Sequence, residues 1–291
     1  MTTHPRRLAS VSVALAGLFA AGLVGSSPVG ATTGTMAYNC EAPGIGSQAL
    51  NFVLDTNAPA KMYVGRTISP KLTVKVTIPG FVIGLAKFAG VYYADATGVV
   101  NVGVNGRTVK GNAVYPYTKL PDGNADFPVN LPVPLPPLKP TAAGTIRYTP
   151  GPLTATLSGY DNHANKADAT KVGDVTAHCT VKTKGRVIDT IKVVKSPTVT
   201  GAPLTYTKAT KQVVSSITVA ASSGITPYGK VTSVLYRGKT KIKSVTKTLA
   251  QGAATTAFGG VSKKGSYKVV TTYSGSGAHL KSTRTKAFTV S

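Results

Sequence analysis

Between residues 72 and 78 apolar and polar side chains alternate without a break, Leu72, Val74, Val76 and Ile78 against Thr73, Lys75 and Thr77. A period of two needs an extended backbone, which sends successive side chains to opposite faces, so the segment predicts a half-buried strand. The pattern returns at Phe52 and Leu54 and at Ile217, Val219 and Ala221. Over 267–273 it sets Tyr267, Val269, Thr271 and Tyr273 on one face and Lys268, Val270 and Thr272 on the other. Turn-forming residues are plentiful, with 31 Gly and 19 Pro, and charged residues are only 14%. Short alternating runs between turns predict an all-β chain. The 291 residues suggest two domains, and 42% hydrophobic residues suffice for their cores.

Residues 1–31 are read as a cleaved signal peptide. Arg6 and Arg7 precede an apolar run from Leu8 to Gly25, and Val29-Gly30-Ala31 supplies small residues for cleavage. The run is short and glycine-containing, a poor match to a bilayer span. The arginine pair hints at twin-arginine export, although the residues after it do not follow that pattern. Cys40 follows Ala37-Tyr38-Asn39 rather than a lipobox, which argues against a lipoprotein. Export implies a secreted or extracellular protein in an oxidising compartment. There the two cysteines, Cys40 and Cys179, are expected to pair. Such a bridge closes a loop of about 140 residues and lies near both ends of a first domain, assigned to 32–195. It would staple that domain's first and last strands together.

Inside this domain Asn105-Gly106 marks a hairpin turn within 99–109. Phe81, Leu85 and Phe88 have the spacing of a short helix. From Phe127 to Pro140, prolines alternate with Phe127, Val129, Leu131, Val133 and Leu135. That combination predicts an edge strand or a polyproline arm packed on its own domain, not a ligand for a proline-recognition module. A linker near Lys195-Ser196-Pro197 leads to a second domain, 196–291. About seven strands are expected there: around 217–221, 229–236, 242–249, 254–258, 267–273 and 287–290, besides the first.

The second domain resembles the bacterial immunoglobulin-like repeats of secreted and surface-attached proteins. The resemblance rests on Thr226-Pro227-Tyr228-Gly229, on Leu235-Tyr236-Arg237-Gly238-Lys239, on the run from Gly265 to Gly275, and on Lys286-Ala287-Phe288-Thr289-Val290. It implies an immunoglobulin-like sandwich. Such repeats often carry an acidic residue where Ser276 stands here, so a cation ligand is not carried over. The first domain is similar to an actinobacterial secreted domain of unknown function that opens with Tyr-x-Cys, here Tyr38-Asn39-Cys40, and ends with a second Cys. That likeness implies export and a sandwich-like fold, and no activity.

Catalytic signatures are weak. His163 lies in the polar segment Tyr160-Asp161-Asn162-His163 without a nucleophile elbow. His178, beside Cys179, reads as a packed or edge residue rather than a metal ligand, and His279 is the third histidine beyond the signal segment. No spacing pairs Asp122, Asp126, Asp161, Asp168 or Asp174 as glycosidase carboxylates. Two distant thiols make no metal site, and neither a cofactor nor a metal is expected.

Charge is distributed unevenly. Residues 196–291 contain fourteen Lys or Arg and no Asp or Glu. Lys239, Lys241, Lys243 and Lys247 would share one strand face, flanked by Lys230 and Arg237. Such a surface attracts polyanions, including anionic cell-wall polymers and polysaccharide. It predicts no sequence-specific nucleic-acid recognition.

The expectation is therefore an all-β chain of two tandem sandwich-type domains, the second immunoglobulin-like. It would be a secreted, non-enzymatic cell-surface or extracellular binding or structural protein, retained on anionic cell-wall polymers through its basic domain. The alternative is a secreted hydrolase acting through Asp161 and His163, or a carbohydrate-binding protein using Tyr92 and Tyr93 or Tyr115 and Tyr117.

Overall fold

The computed structural model describes residues 34–44, 46–163, 165, 174–182 and 185–291. The segment read as a signal peptide lies outside them, as does Asp168. The described chain is nearly all strand, with one helix.

The N-terminal domain is a single sheet that rolls up. Its elements are β1 (Thr35–Ala42), β2 (Gly46–Thr56), β3 (Lys61–Tyr63), β4 (Lys71–Ile78), α1 (Gly80–Phe88), β5 (Tyr93–Val104), β6 (Arg107–Lys119), β7 (Phe127–Pro134), β8 (Gly144–Tyr160), β9 (Val175–Val181) and β10 (Asp189–Val194). Antiparallel pairing runs β6-β5-β8-β9-β1-β2-β4-β7. β10 pairs with the start of β8, and β3 adds in parallel to β10. The last strand of the domain is thus β10, one later than the cysteine-bearing β9 that the sequence placed there.

The roll closes where β7 lies against β6. A Cβ on Gly111 of β6 would sit 2.5 Å from Val133 Cγ1 and 2.9 Å from the Pro134 carbonyl of β7. No ladder joins these two strands among the described residues, and the prolines explain why. Val129, Leu131 and Val133 face Val76, Val74 and Leu72 of β4, and the Leu135 N–H donates to Pro70 O at 3.0 Å. Of the residues of the other parity, whose backbone turns towards β6, Pro128, Pro132 and Pro134 have no N–H to give and Asn130 alone keeps one. The expected edge strand is confirmed, with its apolar side turned inward.

The β5–β6 hairpin turns at Asn105 (φ 49°) and Gly106 (φ 80°), two consecutive left-handed residues as a type I′ turn demands. One half of the roll is filled solid by Met36, Tyr38, Leu54, Leu72, Val102, Val133, Tyr148 and Ile191. Burial and the nearby Asp189 carboxylate push the Tyr148 hydroxyl up to about 12, and burial raises Tyr38 as well. An unfolded tyrosine ionises near pH ~10, so in alkali the unfolded chain releases these protons first. The stability they confer is intact below about pH 10 and is lost as pH rises towards about 12. Urea midpoints of this domain measured across that window are expected to fall; a flat profile would contradict the burial of these rings.

The C-terminal domain is a two-sheet sandwich. β13 (Gln212–Ala221) carries β11 (Thr198–Gly201) and β12 (Leu204–Thr207) on one side and β16 (Ala253–Phe258) on the other. The second sheet runs β15 (Thr240–Thr248), β14 (Lys230–Arg237), β17 (Gly265–Tyr273) and β18 (Ser282–Val290). Val213, Ile217 and Phe258 of one sheet and Val231, Leu235, Val269 and Tyr273 of the other fill the interior. The Tyr267 hydroxyl, near the start of β17, donates to Lys263 O at 2.7 Å, the corner contact of immunoglobulin-like sandwiches. Pro203 lies between β11 and β12, and the domain has eight strands where about seven were expected.

The domains meet at Ser196. Its N–H donates to Ala278 O, its carbonyl accepts from the Leu280 N–H, and its Oγ accepts from the Ser223 N–H. Ala278 packs on the core of the first domain. The junction therefore lies at the Gly144 end of β8, beside β10.

Candidate functional site

The opposite end of β8 borders an apolar cup of about 790 Å³. Its origin is a belt of small residues. The inward positions of four neighbouring strands align as Ala113 (β6), Gly98 (β5), Ala155 (β8) and Ala177 (β9). On the next hairpin, Ala42 and Gly46 pair and line the same space. One layer deeper the corresponding side chains are Val100, Leu153, Cys179 and Cys40. Large residues in one layer and small ones in the next leave a hollow above a solid floor. Cys40 and Cys179 sit directly opposite each other on β1 and β9, are disulfide-bonded, and form part of that floor.

Helix α1 stands over one side. Ile83 anchors it, packing with Val91 and Leu120. Its first turn is capped by Asp126, whose Oδ1 accepts from the Gly80 N–H at 2.8 Å. Only glycine fits at position 80, since a Cβ there would lie 1.7 Å from the Asn124 carbonyl oxygen. The expected helix is present, but its Phe81, Leu85 and Phe88 stripe turns outward. These residues are 49%, 53% and 94% exposed. Leu85 and Phe88 also line the cup, so the outward stripe continues into it.

The polar groups at the rim hold one another. The Tyr160 hydroxyl donates to Asp95 Oδ2 at 2.7 Å, and this bond to the carboxylate is the chief reason its ionisation is shifted upward. Ser158 Oγ donates to Asp174 Oδ1 at 2.9 Å. Tyr93 stacks on Tyr117, whose ring meets Tyr160 edge-on. Tyr115 packs edge-on against Phe127. Of the tyrosines named as sugar platforms, Tyr93, Tyr115 and Tyr117 pack against other rings, and Tyr92 is exposed.

Asp161 forms a turn. Its Oδ1 accepts from the backbone N–H groups of His163 and Asn165 at 2.8 and 2.9 Å, and its Oδ2 from the Asn165 side chain. Partial desolvation works to raise its ionisation, but these donors and the nearby His163 outweigh it and hold the carboxyl below its ordinary value. His178 is exposed on β9. His279 is buried at the domain junction, where Nε2 donates to Ile225 O (3.2 Å) and Nδ1 accepts from Ser276 Oγ (3.0 Å). Ser276 therefore serves an internal hydrogen bond.

The basic residues do not form the single row expected. A bulge between Leu235 and Tyr236 shifts the register of β15, so that Lys241 faces the outward Tyr236 whereas Lys243 faces the inward Leu235. Lys247 lies opposite the buried Val231, again on the inner side. Lys230 lies opposite Thr248, Arg237 opposite Thr240, and Lys239 sits in the turn. Lys241, Lys243 and Lys247 are solvent-exposed on β15, which is an edge strand. The positive charge thus wraps around an edge.

Sequence reasoning missed the cup. Its trace is the small inward residues at Ala94, Ala96 and Gly98 and at Ala155, visible as a belt only once the strands are in register.

No curated protein matches this chain. Among solved structures, a Corynebacterium diphtheriae protein described as membrane-anchored is 13% identical with a TM-score of 0.40, over 88% of this chain and 58% of its own. Dimeric latent PorU from Porphyromonas gingivalis is 11% identical with a TM-score of 0.27, over 86% and 20%. Bacteroides uniformis beta-glucuronidase 2 is 13% identical with a TM-score of 0.21, over 76% and 26%. The chain thus spans less than two thirds of each of these proteins. Residues 37–188, from the third residue of β1 to the residue before β10 and including the cup, match the model of a family of unknown function, and the chain belongs to that family, DUF6801.

Proposed function

We propose that this chain is a non-catalytic binding protein of the cell exterior, whose N-terminal domain holds an apolar, chain-like molecule in its cup. The cup carries the reading: about 790 Å³ walled by hydrocarbon, within the ~300–1,000 Å³ of small-molecule sites. A rolled sheet of this strand number leaves room for one small ligand where its inward side chains are short. The engagement of Asp95 with Tyr160 and of Asp161 with its own turn supports binding over hydrolysis. The test is titration of the purified mature chain with cis-parinaric acid, whose fluorescence rises in an apolar site. Saturable, one-to-one enhancement reversed by long-chain fatty acid is expected; no enhancement would end the reading.

The signal-like segment 1–31 and the single cystine support export. The strand order of the C-terminal domain and its Tyr267 corner support a bacterial immunoglobulin-like module. Its fourteen uncompensated cationic side chains favour retention on anionic wall polymers. Because these charges are exposed, salt screens them. The protein is expected to elute from wall fractions as salt rises to about 1 M; unchanged retention would refute electrostatic attachment.

A further inference from the structure

We infer that α1 and its flanking tyrosines dock the cup onto the surface of a lipid bilayer. The inference shares only its account of loading with the proposed ligand reading; docking stands on the outward face itself. Phe81, Leu85 and Phe88 recur at i, i+4 and i+7, so they form one stripe along the helix. A helix on a water-facing surface normally turns such a stripe inward, yet here Ile83 makes the internal contacts. Phe88 is 94% exposed at the helix end. Tyr92, which follows the helix in the chain, and Tyr117, stacked on Tyr93, are both exposed; an apolar ring with a polar tip suits the headgroup boundary.

Two observations favour a bilayer over a protein partner. The stripe runs into the cup through Leu85 and Phe88, so a surface that covers the stripe also meets the cup's entrance. The patch is also small, three helix side chains and two tyrosines, against the roughly 20–30 residues per side of a stable protein interface. Shallow insertion of a few apolar side chains needs no more than this. An apolar chain leaving the bilayer would then pass along Phe88 and Leu85 into the hollow without crossing water.

The test is flotation of the mature chain with phosphatidylcholine vesicles in high salt, where the basic domain is screened and only apolar insertion contributes. The wild type is expected to float with the vesicles. Phe88→Ser should weaken partitioning roughly tenfold, and Phe81→Ser/Leu85→Ser/Phe88→Ser should abolish it. Circular dichroism should be unchanged, because these side chains are exposed. Ala155→Phe, which fills the cup, should still float. Flotation without parinaric acid binding would keep the docking and discard the ligand reading. A wild type that stays in the aqueous fraction would overturn the docking, as would a triple variant that floats normally. So would a wild-type dimer in solution that the triple substitution converts to monomer.

Discussion

Replacing Cys40 and Cys179 together by Ser is expected to lower the stability of the N-terminal domain by about 5 kcal/mol. The bridge spans a sequence separation of 139, and the entropy such a crosslink removes from the unfolded chain grows with the logarithm of loop length. Register adds a second reason for a large effect. The two residues face each other on neighbouring strands, so the bond holds the β1–β9 seam that joins the opening hairpin to the rest of the roll. A loss of this size approaches the entire stability of many domains, so the variant should be largely unfolded near body temperature. The measurement is a urea titration of the full chain with and without reductant. The C-terminal domain contains no cysteine and reports as an internal control. A midpoint insensitive to reduction would show that the seam holds without the bond.

The second large effect is expected at Ala155. Enlarging a residue in a close-packed core costs about 1–3 kcal/mol, because neighbours must move. Ala155 lies in the belt above the floor, with open space in front of it. Ala155→Phe should therefore place its ring in the hollow at little or no cost, leaving the melting temperature level or higher. Parinaric acid affinity should fall at least tenfold. Ala96→Leu, from the adjoining strand, should act in the same direction. A variant that melts far lower while binding the probe normally would mean that the ligand sits elsewhere.

Much of the fold was legible because strands report their faces locally. Leu72, Val74 and Val76 are buried as their alternation requires, and Asn105-Gly106 turns the hairpin it marks. The cysteine pair was legible from the expectation of export and from there being two cysteines. What could not be read depends on relations between distant segments. Spacing places Phe81, Leu85 and Phe88 on one stripe, but which way the stripe faces is decided by Ile83 and by Asn124 packed against Gly80. The lysine row failed for a similar reason: parity along one strand predicts a shared face only while the ladder stays in step, and one bulge moves Lys241 across the sheet from Lys243. The cup was hardest to see. An alanine at an inward position is ordinary, and it becomes a wall only when four strands set such residues level.

Because three of the four β7 residues whose backbone turns towards β6 are prolines, no hydrogen-bonded ladder closes the cylinder along that line among the described residues. Backbone hydrogen bonds join every other neighbouring pair around the wall. The wall is therefore least tied between these two staves, and the disulfide on the far side keeps the remaining strands in one piece.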